Sequence, residues 1–146
     1  MGLVLMLALS TATAASFPND VAAEMGVSPA CFGLCVSYDR RVSKRFDLGA
    51  TLSPGLIFNG GGVYGQVGLY SANNNLVFLE PSAGAIWSPL SREIYCNVGM
   101  SVGYERTFAK RRFVSGHLGG GLLSYDLSLT GMDFLPDLRV GVGKRF

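Results

Sequence analysis

Polar and apolar residues alternate along most of this chain with a period of two. The clearest run is Glu93 to Phe108, EIYCNVGMSVGYERTF. Its even positions, Ile94, Cys96, Val98, Met100, Val102 and Tyr104, are apolar. Its odd positions are mostly small or polar: Glu93, Tyr95, Asn97, Gly99, Ser101, Gly103 and Glu105. Successive side chains of a β-strand point to opposite faces, so the run predicts a strand with one apolar face. A helix would spread both classes round its circumference, and the interior Gly and Ser positions would weaken it.

The same parity recurs on both sides of this run. Phe32, Leu34, Val36 and Tyr38 alternate with Gly33, Cys35, Ser37 and Asp39, and a basic turn follows at 40–45. Phe46, Leu48, Ala50, Leu52, Pro54 and Leu56 form the next apolar face, with a break expected at Pro54, which cannot donate to a ladder. Asn59-Gly60-Gly61-Gly62 reads as a turn. Val63, Gly65, Val67 and Leu69 then oppose Tyr64, Gln66, Gly68 and Tyr70, and 71–75 turns the chain. Val77 to Trp87 follows, with Phe78 and Ile86 on its nominally polar side. Val114 to Leu122 alternates until apolar parity switches at Leu123, Tyr125 and Leu127, which predicts a bulge near Gly119–Gly121. After a loop at 128–133, Phe134 to Phe146 gives the last strand. Residues 20–28 supply a further short alternation, with Val21, Ala23, Met25 and Val27 against Ala22, Glu24 and Gly26. An even strand number follows if both ends of the chain lie on one side, and including 20–28 makes eight.

Short turns between successive strands predict an all-β, up-and-down antiparallel meander, and closing it into a barrel removes exposed edges. Composition agrees: hydrophobic residues are 49% and charged residues 15%, with 20 glycines in 146 residues. That profile disfavours disorder, coiled coils and helical bundles. The expected organisation is a signal-peptide-like segment over 1–15 and a single barrel domain over 16–146. The leader reading rests on the apolar run Leu3–Leu9 followed by Ser10-Thr11-Ala12-Thr13-Ala14-Ala15, with cleavage after Ala14 or Ala15. Its departure from pattern is that Met1-Gly2 brings no Lys or Arg side chain.

Charge placement separates a membrane barrel from a water-soluble one. Lys and Arg concentrate at 40–45, 110–112 and 144–145, and counting alternate strands brings these to one end of a barrel. The strand interiors carry almost no charge on their apolar faces, as expected where a mid-bilayer charge costs roughly 2–4 kcal/mol. Strands of about 9–11 residues also suffice to cross a bilayer when tilted. The expectation is therefore a transmembrane barrel. Tyr38, Trp87, Tyr104, Phe108 and Phe146 are its candidate interfacial aromatics.

The final segment Arg139-Val140-Gly141-Val142-Gly143-Lys144-Arg145-Phe146 resembles the terminal signal of bacterial outer-membrane β-barrel proteins. Arg139, Gly141 and Phe146 match its polar, glycine and terminal aromatic positions, whereas Lys144 stands where that signal has a hydrophobic residue. The strand pattern over 31–146 resembles the small eight-stranded barrels of the OmpA transmembrane-domain and OmpX type. The resemblance implies a bacterial outer-membrane location, outer-membrane lipids as neighbours, and recognition by the barrel-assembly machinery through the C-terminal strand.

Candidate chemistry is sparse. Asp39, Asp47, Glu80, Glu105, Asp137 and Arg139 fall on the inward parity, and Arg139 is expected to pair with one or more of these carboxylates. Ser115 and His117 share that face, with Glu105 on the neighbouring strand, but spacing alone does not make a hydrolase triad. No catalytic, cofactor-binding or metal-binding residue is assigned; His117 is the only histidine. Cys31 and Cys35, four apart on a regular strand, would lie about 13 Å from each other, so three free cysteines are expected. A net charge of +2 without aromatic-basic interleaving excludes a nucleic-acid platform. The functional expectation is a small outer-membrane barrel with a packed polar interior and a structural or interaction role. The alternatives are a membrane-embedded lipid-modifying enzyme and a soluble lipocalin-like binding barrel.

Overall fold

The computed structural model describes residues 19–29, 31–55, 58–108, 111–124 and 132–146. The leader-like segment 1–15 lies outside these residues, as do Leu56, Tyr125 and Leu127. Eight strands follow one another: β1 (Asn19–Val27), β2 (Phe32–Ser43), β3 (Phe46–Ser53), β4 (Asn59–Ala72), β5 (Asn75–Trp87), β6 (Ile94–Thr107), β7 (Arg112–Ser124) and β8 (Asp133–Arg145). Each pairs antiparallel with the next, and β1 pairs with β8, so the sheet closes into an up-and-down barrel. The segment 20–28 therefore supplies the first strand. Closure leaves no unpaired edge, and the last residue joins it: Asn19 and Phe146 exchange both backbone hydrogen bonds at 2.8 Å.

The alternation translates directly into two faces. Along β6, Val98, Met100, Val102 and Tyr104 are exposed while Asn97, Ser101 and Glu105 are buried. Phe78 and Ile86, on the polar side of β5 by parity, do point inward and are buried. β3 stops at Ser53, directly before Pro54, as a residue without an N–H requires.

Four local expectations are corrected. The Asn59–Gly62 stretch is not a turn but the start of β4, with Gly60, Gly61 and Gly62 paired to Ser53, Leu52 and Thr51. The separate turn expected at 71–75 is present between β4 and β5, at Asn73-Asn74, whose φ values of 48° and 67° are tolerated best by Asn and Gly. No bulge interrupts β7: its register with β6 runs unbroken from Ser124 to Phe113. Leu123 turns inward because the loop end of the lumen is apolar, not because the strand slips. A bulge occurs between Gly68 and Tyr70 instead, which rotates Tyr70 from the inner to the outer face.

The fourth correction concerns the cysteines. Cys31 and Cys35 form a disulfide with Cα atoms 5.7 Å apart, and Cys96 remains free. The spacing estimate failed because Cys31 precedes β2 and the chain curls at Gly33, whose φ of +90° suits glycine. Ser28 and Cys31 also exchange backbone hydrogen bonds, closing the β1–β2 connection tightly.

Candidate functional site

In the lumen, acidic and basic side chains from many strands converge and pair. At its centre stands Arg139 of β8, 1% exposed. Its Nε donates to Asp137 Oδ1 at 2.9 Å, its Nη1 to Glu24 Oε2 at 3.2 Å, and its Nη2 to both Glu80 and Asp137. Three strands therefore send carboxylates to one guanidinium, whose planar fork can serve several acceptors at once. The carboxylates have further donors. Ser37 Oγ donates to Glu24 at 2.7 Å, and Gln66 Nε2 donates to Glu80 at 3.0 Å. His117 Nδ1 lies 3.4 Å from Glu80 Oε2, with its ring edge-on to Phe78 at 5.3 Å between centroids.

Glycine makes room for this network. A Cβ at Gly141 would press on Glu24 Cγ at 2.9 Å and Ser115 Oγ at 2.8 Å, and one at Gly26 on Arg139 Cγ at 2.9 Å. The small residues of the inner face thus provide the volume that a cluster of long charged side chains needs.

A second charged layer lies nearer the end where Asn19 pairs with Phe146, here called the terminus end. Arg145 bonds Asp20 at 2.8 Å and Glu105 at 3.1 Å, and its guanidinium stands 5.9 Å from the Phe113 ring centroid. Arg41 bonds Asp47 at 3.0 Å. A cavity of about 290 Å³ opens here, bounded by Arg41, Asp47, Gln66, Glu105 and Arg145, with Phe78 against it. At the opposite, loop end the lining changes character. Phe32, Phe58, Ile86, Tyr95, Leu123 and Leu135 bound an apolar cavity of about 190 Å³. Pro29, fully buried, reaches in from the β1–β2 connection; a Cβ at Gly121 would lie 2.8 Å from its ring, and one at Gly99 would overlap it.

Arg139 pairs with Glu80 and Asp137 as its parity predicts, but not with Asp39, Asp47 or Glu105. The last two serve Arg41 and Arg145, while Asp39 lies buried on the inner face near Tyr64 without a cationic partner. Glu24 and Asp20 were not anticipated, although the alternation of 20–28 already places Glu24 on the inner face. Ser115, His117 and Glu105 are not assembled as a triad. The carboxylate beside His117 is Glu80, and Glu105 turns to Arg145 and Thr107. His117 is 4% exposed and sits deep among these groups, away from the outer surface.

This arrangement can hold charge in place, but it leaves little room for passage. A narrow eight-stranded barrel has an interior just wide enough for its side chains. Here an ion-paired layer and Phe78 follow the polar mouth, and Pro29 with its apolar neighbours fills the far end.

No protein-family model matches the chain, and no curated protein matches it in sequence. Among solved structures, the chain is similar to the de novo designed protein TMB2.3, solved by NMR in solution. That match has 13% identity and a TM-score of 0.48, and covers 91% of this chain and 98% of the other. It is also similar to a major outer membrane protein from Thermus thermophilus, with 14% identity and a TM-score of 0.47 over 90% of this chain and 100% of that one.

Proposed function

We propose that this chain is a bacterial outer-membrane β-barrel with a closed lumen, acting as a structural or interaction component of the membrane rather than as a pore. The observation that carries the reading is the inversion of its faces. Leu34, Leu52, Leu69, Leu118, Leu138 and Val142 are all at least 60% exposed on the outer wall, while Glu80, Asp137 and Arg139 are at most 1% exposed inside. In water, an apolar surface continuous round the barrel would far exceed the few hundred Å² that soluble monomers present. In a bilayer the same surface is at rest, and the closed ladder pairs the backbone of neighbouring strands all round the barrel.

Aromatic placement supports the same reading. Tyr38, Tyr70, Tyr104, Phe108 and Phe146 are exposed near the terminus end, and Trp87 and Phe134 near the loop end. Tyr38 and Tyr104 donate their hydroxyls to Asn19 and Asn75, as amphipathic rings at a polar boundary do. The burial of His117 disfavours the lipid-modifying alternative, because a lipid outside the wall does not reach it.

The test is membrane fractionation of the native chain followed by heat-modifiable migration of the purified protein. Detergent-dependent extraction and a compact band that shifts on boiling support the reading. Release into the aqueous fraction without detergent would return the chain to the soluble lipocalin-like class. Deleting Phe146 tests the proposed engagement of the assembly machinery: folded barrel in the outer membrane should fall severalfold, and unchanged assembly would reject that role for the C-terminal strand.

A further inference from the structure

Charge is sorted radially in this barrel. The carboxylates of β1, β2, β3, β5, β6 and β8 point inward and are buried, apart from Asp133 at the loop end. The outer wall at the terminus end carries exposed cations, and among the described residues no Asp or Glu side chain of that wall stands beside them. Arg112 and Lys144 are directly opposite each other in the β7–β8 register, both exposed, and neither makes an ion pair with the described residues. Arg106 lies one row away on β6, also exposed, its guanidinium 5.5 Å from the Phe108 ring centroid. Like charges directly across a ladder repel. Here three of them lie on adjacent strands, and none makes an ion pair with the described residues.

The wall beneath these cations is apolar: Val114, Leu118, Leu138, Val140 and Val142 are all exposed. Arg112, Phe113, Lys144, Val21 and Val142 border a shallow, open depression of the outer wall. The next rows of the seam pair Val114 with Val142, Gly116 with Val140 and Leu118 with Leu138. Gly116 leaves a dent: a Cβ there would meet nothing closer than a backbone oxygen at 4.0 Å. Tyr104, Gly116, Leu118, Leu138 and Val140 border a second, shallow and open depression of the outer wall. From Arg112 to Gly116 is four residues, about 13 Å at strand rise, a length an acyl chain covers.

We infer that the β7–β8 seam is a binding site for an anionic phospholipid, its phosphate held between Arg112, Lys144 and Arg106 and one acyl chain lying along Val142 and the Gly116 dent. The inference rests on the membrane reading above. A phosphodiester satisfies the geometry: its oxygens accept from two adjacent strands at once and relieve the repulsion between Arg112 and Lys144. A zwitterionic headgroup presents its own cation to the same cluster and gains less.

The test is native mass spectrometry of the folded full chain in neutral detergent, titrated with phosphatidylglycerol or phosphatidylcholine. Wild type should retain phosphatidylglycerol preferentially. R112Q/K144Q should lower its apparent affinity roughly ten- to thirtyfold, from the loss of two basic contacts. K144Q alone should give an intermediate loss. K44Q/R45Q, which removes the same charge from the β2–β3 turn, should stay within about threefold of wild type. Wild-type-like retention by R112Q/K144Q overturns the site, as does an equal loss in K44Q/R45Q, which would mean bulk charge only. A wild-type chain that folds in bilayers yet shows no preference between the lipids overturns the site alone. A chain with no heat-modifiable fold in vesicles of either lipid overturns the membrane reading and the site with it.

Discussion

Leu138 and Arg139 are neighbours in sequence, yet one is 61% exposed and the other 1%. The same contrast separates the wall and the lumen along every strand. In a water-soluble domain the apolar residue would be inside and the arginine outside. On the membrane reading proposed above, the wall is held by what surrounds it, and the lumen is held by electrostatic pairing within the chain. A change of the same chemical kind should therefore have opposite consequences on the two faces, and that contrast is open to experiment.

The largest effect is expected at Arg139. Arg139→Leu leaves Glu24, Glu80 and Asp137 facing one another without their cation. Removing one partner of a buried ion pair typically costs about 3–5 kcal/mol. Urea unfolding of the vesicle-inserted barrel, read by heat-modifiable migration, measures it. Glu80→Gln in the same chain should recover part of the loss by removing one unpaired charge. A midpoint unchanged in Arg139→Leu would show that the lumen is wet enough to screen its carboxylates.

The wall gives the converse case. Val98 is exposed on the outer face of β6, and Ser101, three residues on, is buried inside. On the membrane reading, Val98→Arg would place a cation against lipid at a cost of about 2 kcal/mol or more. Ser101→Thr adds one methyl to a crowded interior and should cost about 1 kcal/mol. Equal folding yields for both variants would erase the distinction between the faces.

How much of this contrast was legible in sequence depends on the range of the interaction that sets it. Face assignment is local, because the period of two belongs to the strand itself, and it is correct along β5 and β6 and for Asp137 and Arg139 of β8. Tyr70 was misplaced because a one-residue bulge after Gly68 reverses parity without leaving a polar mark. Leu123 looked like a slipped strand because alternation cannot say that one end of the lumen is apolar. The Cys31–Cys35 disulfide was hidden by the single glycine that curls the chain between them. The Arg139 cluster was half visible: parity places its members inside, but Glu24 is 115 residues from Arg139 and meets it only through barrel closure. Which carboxylate serves which arginine is fixed by register across eight strands, and no local pattern carries that.

The smallest contrast is also the finest, since it compares two glycines of adjacent strands that face opposite ways. Gly103 of β6 points into the lumen, where an added Cβ would overlap the Phe78 ring. Gly116 of β7 points outward, where it would meet almost nothing. Gly103→Ala must displace Phe78 toward His117 or the mouth, an overpacking that costs typically about 1–3 kcal/mol. Gly116→Ala meets no such obstacle and restricts the unfolded chain, so it should be neutral or stabilising by about 0.4–1 kcal/mol. The measurement is the difference in urea midpoint between the two variants in the same vesicles. If both destabilise equally, their effect is a general cost of changing glycine in a strand, and the crowding of the lumen by Phe78 is not what selects glycine at Gly103.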